Sequence, residues 1–422
     1  MNQEKINANP TKDFFIEMLT RDIELDKSIL DLIDNSIDAA SIANVEEPKI
    51  EVFISEEGFR IKDNCGGLSK KIAQDYAFRF GRPKDRDLTP HSIGQFGVGM
   101  KRTLFKLGKQ FSVKSYHEES TFSVNVNVNE WKNVSDWTFD ISDINNEGYF
   151  GTDITVDDLY DDVSEQFKLE SFIDGLAKEI SRAHFSALQS GVIIELNGSK
   201  INHHVINFKA SDEIGITQVV KTINGVEIKV TAGLSNRELH DAGWYIVCNG
   251  RLIEYAETTS KTTWKVDGIP QFHPDYAFFR GIVEFNSDDS SKLPWTTTKT
   301  GVDRSAKIYI SALNEMKKVI RPYIVLLKER VKEDRDEKAG LLTEKPINDL
   351  INNMDSASLS DVGFIPELII PDVAIRLSTP AIATIQYHVE TEKLQKAKDA
   401  LDVRTNKEVG EITFNYYFDY EC

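Results

Sequence analysis

The sequence predicts an α+β architecture with more than one domain, and three observations predict it. Helical and strand patterns alternate over residues 1–160. Strand patterns then prevail over residues 200–300, with the hairpin dipeptides Asn224-Gly225 and Asn249-Gly250 between them. A charged helical pattern over Ser305–Lys338 follows. The 422 residues are enough for two or three domains at roughly 150 residues each.

In chain order, Thr20–Ala43 reads as one long helix. Lys49–Ile54 and Phe59–Lys62 read as strands joined by a Glu-Glu-Gly turn. Ser69–Phe80 is helical, and Gly81–Gly99, rich in Gly, Pro and charge, reads as a long loop before a helix at Met100–Leu107. Strands are expected at Gln110–Tyr116, Thr121–Val128 and Gly151–Val156, then a helix near Glu165–Gln189 and a strand at Val192–Leu196. Gly243–Val247 and Gly281–Phe285 look like core strands, and Ser305–Lys338 like a solvated rod or connector. Residues 340–422 suggest short strands and one helix, Glu392–Ala400.

The composition narrows the function. A hydrophobic fraction of 40 % supports real cores and excludes intrinsic disorder. No apolar run reaches the roughly 18 residues of a membrane span, and Met1–Lys5 lacks a signal-peptide pattern, so a cytoplasmic protein without a membrane partner is expected. Cys65, Cys248 and Cys422 are too dispersed for a disulfide framework or a zinc site. The net charge of −18 argues against a surface that coats nucleic acid throughout. It also means that any polyanion site must gather its own positive groups.

Four motifs can carry chemistry. In Asp31-Leu32-Ile33-Asp34-Asn35-Ser36-Ile37-Asp38, helical spacing puts Asp31, Asn35 and Asp38 on one face, opposite Ile29, Ile33 and Ile37. That polar strip is expected to face away from the core; read alone, it is equally well a solvated helix face. Asp63-Asn64-Cys65-Gly66-Gly67 ends a strand in an acid that can accept a hydrogen bond from an exocyclic amine; alone, it reads better as a turn. Gly94-Gln95-Phe96-Gly97-Val98-Gly99-Met100-Lys101 opens a helix with exposed backbone N–H groups, a phosphate cradle with a lysine at its end. It lacks the Gly-Lys-Ser/Thr ending of a P-loop, and no strand leads directly into it. Gly151-Thr152 starts a strand with a hydroxyl.

Taken in order and spacing, the four together resemble the N box, two glycine boxes and threonine motif of the GHKL ATPase superfamily (gyrase, heat-shock chaperone, histidine kinase, MutL). Ile93–Lys101 looks most like the MORC and heat-shock-chaperone branches, and Phe80-Gly81 with the charged loop after it resembles the MORC lid. Tyr245–Arg251 and Pro294–Gly301 resemble the transducer domain of gyrase, MutL and MORC proteins, which histidine kinases lack. The resemblance implies a Bergerat-type α/β sandwich over residues 1–200 and a transducer-like (ribosomal S5-type) domain over 201–338. Residues 339–422 resemble no named family and are left as a C-terminal region of unknown role, with interaction or dimerisation as the open expectation.

It also implies roles. Mg²⁺ and ATP are the expected cofactors, with Asn35 on the metal. Asp63 would take the adenine amine with Thr152 in support, and Gly67 and Asp38 belong to the same site. Gly94, Gln95, Phe96, Gly97, Val98, Gly99, Met100 and Lys101 would cradle phosphates under a lid at 80–98. Asp31 stands where glutamate usually serves as general base, so a slow ATPase is expected. Cys65 replaces a glycine of its box. Lys299, in the Thr-rich loop, would meet the terminal phosphate. The implied protein is a clamp that forms a nucleotide-dependent homodimer, acting on DNA or a protein partner, in the MORC-like case in prokaryotic defence. The alternatives are a non-hydrolysing switch or scaffold and a chaperone-like ATPase.

Overall fold

A computed structural model describes residues 10–80, 92–93, 98–146, 148–342, 344–357 and 383–422. The elements in chain order begin with α1 (Lys12–Arg21), α2 (Leu25–Ala43), β1 (Lys49–Ser55), β2 (Gly58–Asp63) and the short α3 (Lys70–Ile72), which continues as a π turn at Ala73–Ala77. Next come α4 (Gly99–Leu107), β3 (Gly108–Tyr116), β4 (Thr121–Asn127), α5 (Val128–Asn133), β5 (Ile141–Asp143) and β6 (Gly151–Leu159). α6 (Asp161–Phe167), α7 (Glu170–Ala183), α8 (Phe185–Gln189), β7 (Ile193–Leu196) and β8 (Ser199–Lys200) follow. Among the described residues these strands form one sheet in the order β5-β4-β3-β6-β2-β1-β7-β8, antiparallel except for the β1–β7 pair.

Alternation decides which face of this sheet is covered. Ile50, Val52 and Ile54 on β1, Ile61 on β2, Val113 on β3 and Val156 on β6 are buried in one cluster with Ile29, Leu30 and Ile33 of α2 and Leu104 and Phe105 of α4. The long helix expected at Thr20–Ala43 is two helices, broken at residues 22–24. Ile23 is buried in the break, and Leu25 starts α2 on its core-facing side.

The second sheet is built from β9 (Phe208–Ala210), β10 (Thr217–Ile223), β11 (Val226–Leu234), β12 (Gly243–Cys248), β13 (Arg251–Glu257) and β14 (Phe279–Asn286). The turns at Asn224-Gly225 and Asn249-Gly250 join β10 to β11 and β12 to β13, with positive φ at all four residues as such hairpins require. α9 (Lys307–Lys338) is not the solvated rod its charges suggested. Tyr309, Met316, Ile320, Tyr323 and Leu327 recur at helical spacing and bury one face against this sheet, and the charged Glu315, Arg330, Glu333 and Asp336 are buried as well. α10 (Pro346–Asn352) packs on α9, and β15 (Asp355–Ala357) pairs with β9. Two further helices, α11 (Thr391–Leu401) and α12 (Asn406–Glu421), close the described chain. α12 was not expected: its aromatic-rich sequence has no amphipathic period to read. No helix among the described residues is long and apolar enough to cross a membrane.

One close approach fixes the position of the acid that ends β2. A Cβ on Gly151 would lie 1.9 Å from the Asp63 carbonyl oxygen, so only glycine lets β6 pass there. Gly151→Ala is expected to push β6 off β2 and to destabilise the fold by about 1–3 kcal/mol, the usual scale of overpacking. Urea unfolding with an unchanged midpoint would contradict this.

Candidate functional site

A cleft opens between α2, the end of β2, α4 and the Thr-rich loop after β14. Its walls include Asn35, Asp38, Asp63, Gly67, Lys101, Thr152 and Lys299. The structure thus brings residues from both halves of the chain to one place. Gly94, Gln95, Phe96 and Gly97, and most of the 80–98 segment, lie outside the described residues. Val98, Gly99 and Met100 line the cleft. Gly99 is needed for the close packing of α4 on α2, since a Cβ there would meet the Asp31 carboxylate at 3.2 Å.

At one end, Asp63 is buried and accepts four hydrogen bonds. Ser36 Oγ donates to Oδ2 at 2.7 Å, the Thr152 hydroxyl donates to the same oxygen, and the backbone N–H groups of Cys65 and Thr152 donate to Oδ1 at 2.9 and 3.2 Å. Two of these donors are hydroxyls. They can rotate away and free a lone pair for an incoming amine without moving the backbone. Gly66 and Gly67 both adopt positive φ, and a Cβ on Gly67 would lie 2.5 Å from the Tyr116 carbonyl oxygen. The Cys65 side chain is fully buried, so the departure from glycine is absorbed by the core rather than by the cleft.

At the other end lies an ionic cluster. The sequence reading placed the Asp31 strip away from the core; Asp31 is in fact buried, roofed by cations. Its Oδ2 pairs with the Arg102 guanidinium, and its Oδ1 accepts from Lys299 Nζ at 3.2 Å. Asp34, wholly inaccessible, accepts from Lys299 Nζ at 2.7 Å and from His184 Nε2 at 2.8 Å, with Arg251 Nε at 3.0 Å. Burial alone would raise the Asp34 carboxyl. Lys299 and Arg251, with the hydrogen bond from His184, overcome this and hold it far below the usual carboxylate range. Burial lowers Lys299, but Asp34 and Asp31 more than restore it, so the lysine stays charged. Burial, then Arg251, push His184 below its ordinary value, so a neutral ring donates Nε2–H to Asp34. Two carboxylates therefore face three buried cations, a local excess of one positive charge in a chain of −18.

Between these ends, Asn35 is exposed, and its amide has no hydrogen-bond partner among the described residues. Asp38 accepts from the Ile93 N–H at 2.8 and 3.0 Å, and Asn249 Nδ2 donates to the Ser92 carbonyl at 3.2 Å. The two domains thus grip residues 92–93, just before the glycine-rich stretch. Lys101 differs from expectation in its direction. Its Nζ donates to the Ala77 carbonyl at 2.6 Å, and burial pushes the ammonium down to about 7.

Sequence reasoning missed Ser36, Arg102, Asp34, His184 and Arg251. Arg102 directly follows Lys101, and Asp34 directly precedes Asn35, so their positions were in view. His184 carries no local signal, and Arg251 was read only as the end of a stretch of the second domain; only tertiary structure brings them to Asp34.

Residues 23–155 match the family model described as histidine kinase-, DNA gyrase B- and HSP90-like ATPase. No curated protein matches the chain.

Lys101 supplies a pH prediction. An unfolded lysine titrates near 10.4, whereas Lys101 titrates at about 7, so the unfolded chain holds more protons between these values and this contribution to stability rises with pH across the window. An anion entering the cleft favours the protonated form. Binding a nucleoside triphosphate at pH 8 should therefore take up close to one proton, and at pH 6 almost none. Calorimetry in buffers of different ionisation enthalpy reads this directly. Equal uptake at both pH values, or uptake retained in Lys101→Met, would contradict it.

Proposed function

We propose that this chain, whose N-terminal domain is a GHKL-type ATP-binding domain, is an Mg-ATP-dependent clamp that hydrolyses ATP slowly. The observation that carries the reading is the polarity of one cleft: a hydrogen-bonded carboxylate at one end and buried cations at the other. A nucleotide has the same polarity, with an amine-bearing base and an anionic tail. Asp63 would accept from the adenine amine as the Ser36 and Thr152 hydroxyls turn. Arg102, Lys101 and Lys299 would offset the phosphates, with Gly94–Gly99 lending backbone N–H groups.

The residues present fit a magnesium ion held jointly with phosphates. Asn35 offers an unpartnered amide oxygen of the hard type that magnesium prefers, and Asp38 lies one turn along the same helix. Bound there, the ion would offset phosphate charge. Loss of Asn35 as a ligand should remove most Mg-ATP affinity and leave the fold intact. Undiminished affinity of Asn35→Ala by calorimetry would sink this assignment.

Asp31 is the candidate general base, and its surroundings set a condition. Both of its oxygens are engaged by cations, so it can take a proton from water only after one cation leaves. Lys299 is the one that can move, because it sits on a loop tip, at Thr296–Gly301. A γ-phosphate would draw Lys299 off Asp31 and free Oδ1 in the same event. The base would then be exposed only when its substrate is present. Asp31→Asn should keep ATP binding and lower turnover about 10²–10⁴-fold, the usual scale of a general base. Unchanged turnover would remove Asp31 from the role of base, whereas no turnover in the unsubstituted chain would favour the second reading, a non-hydrolysing switch, which the double engagement of Asp31 supports.

Closure of residues 80–98 over the nucleotide, nucleotide-dependent homodimerisation and action on DNA in a MORC-like defence role rest on family analogy; a chaperone-like role on protein clients rests on the same analogy. A salt-sensitive, ATP-enhanced shift of double-stranded DNA would favour the DNA role.

Lys299 is the proposed sensor of the third phosphate. A charge-assisted contact is worth roughly 1.5–3 kcal/mol. Lys299→Ala should therefore weaken an ATP analogue relative to ADP by about tenfold or more. Paired titrations with an unmoved affinity ratio would remove Lys299 from this role.

A further inference from the structure

We propose that Ser92 is a ligand for the inner phosphates of the bound nucleotide, held ready by both domains. This role rests on the nucleotide reading of the cleft, and it falls to a residue outside the four sequence motifs.

Ser92 is 5 % exposed, and its hydroxyl has no hydrogen-bond partner. The large majority of buried polar side chains have one, and a buried hydroxyl without one destabilises the fold. Ser92 lines the cleft together with Asn35, Asp38, Lys101 and Lys299. Among the described cleft residues, only Arg102, at Nε, also leaves a buried side-chain atom unpaired, and its guanidinium is already committed to Asp31. A local rule broken at the wall of a binding cleft is explained by a partner that arrives with the ligand.

The backbone around this hydroxyl is fixed from two sides. Asn249 Nδ2 donates to the Ser92 carbonyl at 3.2 Å. The Asn249 amide is itself set by Ser287, whose N–H donates to Oδ1 at 2.9 Å and whose carbonyl accepts from Nδ2 at 3.0 Å. One residue on, the Ile93 N–H donates to both Asp38 oxygens, and the Ile93 side chain is buried in the apolar cluster of the second domain. So α2 holds one side of the pair and the β12–β13 turn holds the other. A donor placed before its ligand arrives loses little freedom on binding.

Height along α2 selects the ligand atom. Asp38 lies seven residues beyond Asp31, about 10 Å along the helix axis. Asp31 with Lys299 marks the terminal-phosphate end, and Asp63, bonded to Ser36, marks the base end. Ser92, next to the residue bonded to Asp38, lies well short of the terminal-phosphate end, at the height of the sugar and the inner phosphates. A sugar hydroxyl can donate, and Asp38 offers it an acceptor. A phosphate oxygen only accepts, is repelled by Asp38, and needs a donor at this height. Ser92 Oγ is that donor, and it adds no negative charge.

The test is calorimetric titration of the full chain, with magnesium, by three probes: a non-hydrolysable ATP analogue, ADP and adenosine. Ser92→Ala and Ser92→Cys both remove the strong donor, the second while filling the space. Each should weaken the ATP analogue and ADP by the same factor, about tenfold or more, as expected for a hydrogen bond to a charged group. Each should leave adenosine unchanged. Because the hydroxyl is unpaired in the free protein, Ser92→Ala should also raise the urea midpoint. Nucleotide affinities that stay at the wild-type level overturn the assignment. A loss shared by adenosine puts the hydroxyl on the sugar and overturns it; a loss confined to the ATP analogue puts it on the third phosphate and overturns it too. A lowered midpoint would make Ser92 a structural residue instead. A wild-type chain that binds none of the three probes refutes the nucleotide reading itself. That outcome is distinct from a chain that binds them all and ignores the loss of Ser92.

Discussion

Asp34 has no solvent exposure, yet three basic side chains from three different elements converge on its two oxygens. His184 comes from the α7–α8 junction of the first domain, Arg251 from the start of β13, and Lys299 from the loop after β14 in the second. The rest of the site hangs on this contact. It sets how far α2 lies from the second sheet, and so where Asn35, one residue on, faces the cleft. A buried ion pair is weak evidence for stability, but losing one partner of such a pair costs about 3–5 kcal/mol. Two cations from one domain on one carboxylate from the other make that cost a cost of separation. The domains are therefore coupled by electrostatics at the point where a nucleotide's phosphates would arrive.

The charge of the whole chain gives this coupling its meaning. At −18, the surface as a whole repels a triphosphate. The cluster of Arg102, Arg251 and Lys299 around two aspartates reverses the sign locally. It does so away from water, where charge counts for more. Lys299 already spends its charge on Asp31 and Asp34, so a γ-phosphate must compete for it. That competition is how binding at the cleft could be felt by the second domain.

Much of this was legible in the sequence, and the reason is local. Asn35 sits on one helix, Asp63 and Gly67 lie at and just after the end of one hairpin strand, and Thr152 begins a strand of its own; each lies in a short readable segment, and all four line the cleft. Lys299 was visible as a lysine in a Thr-rich loop, though not its carboxylate partners. Asp34 looked like one more polar residue of a helix; its importance comes from His184 and Arg251, which are 150 and 217 positions away. Burial of Asp31 was misjudged for the same reason, since the roof over it comes from other elements. α9 misled in the opposite sense: its many charges hid a continuous apolar stripe. The break at residues 22–24 and the helix at Asn406–Glu421 depend on packing that periodicity does not encode.

The most direct measurement is a structure of the full chain with magnesium and a non-hydrolysable ATP analogue. The account predicts the adenine amine on Asp63, the metal beside Asn35, and Lys299 Nζ moved from Asp31 onto the terminal phosphate. A nucleotide bound elsewhere, or one seated in this cleft with Lys299 still on Asp31 and the phosphates untouched by it, would contradict the account.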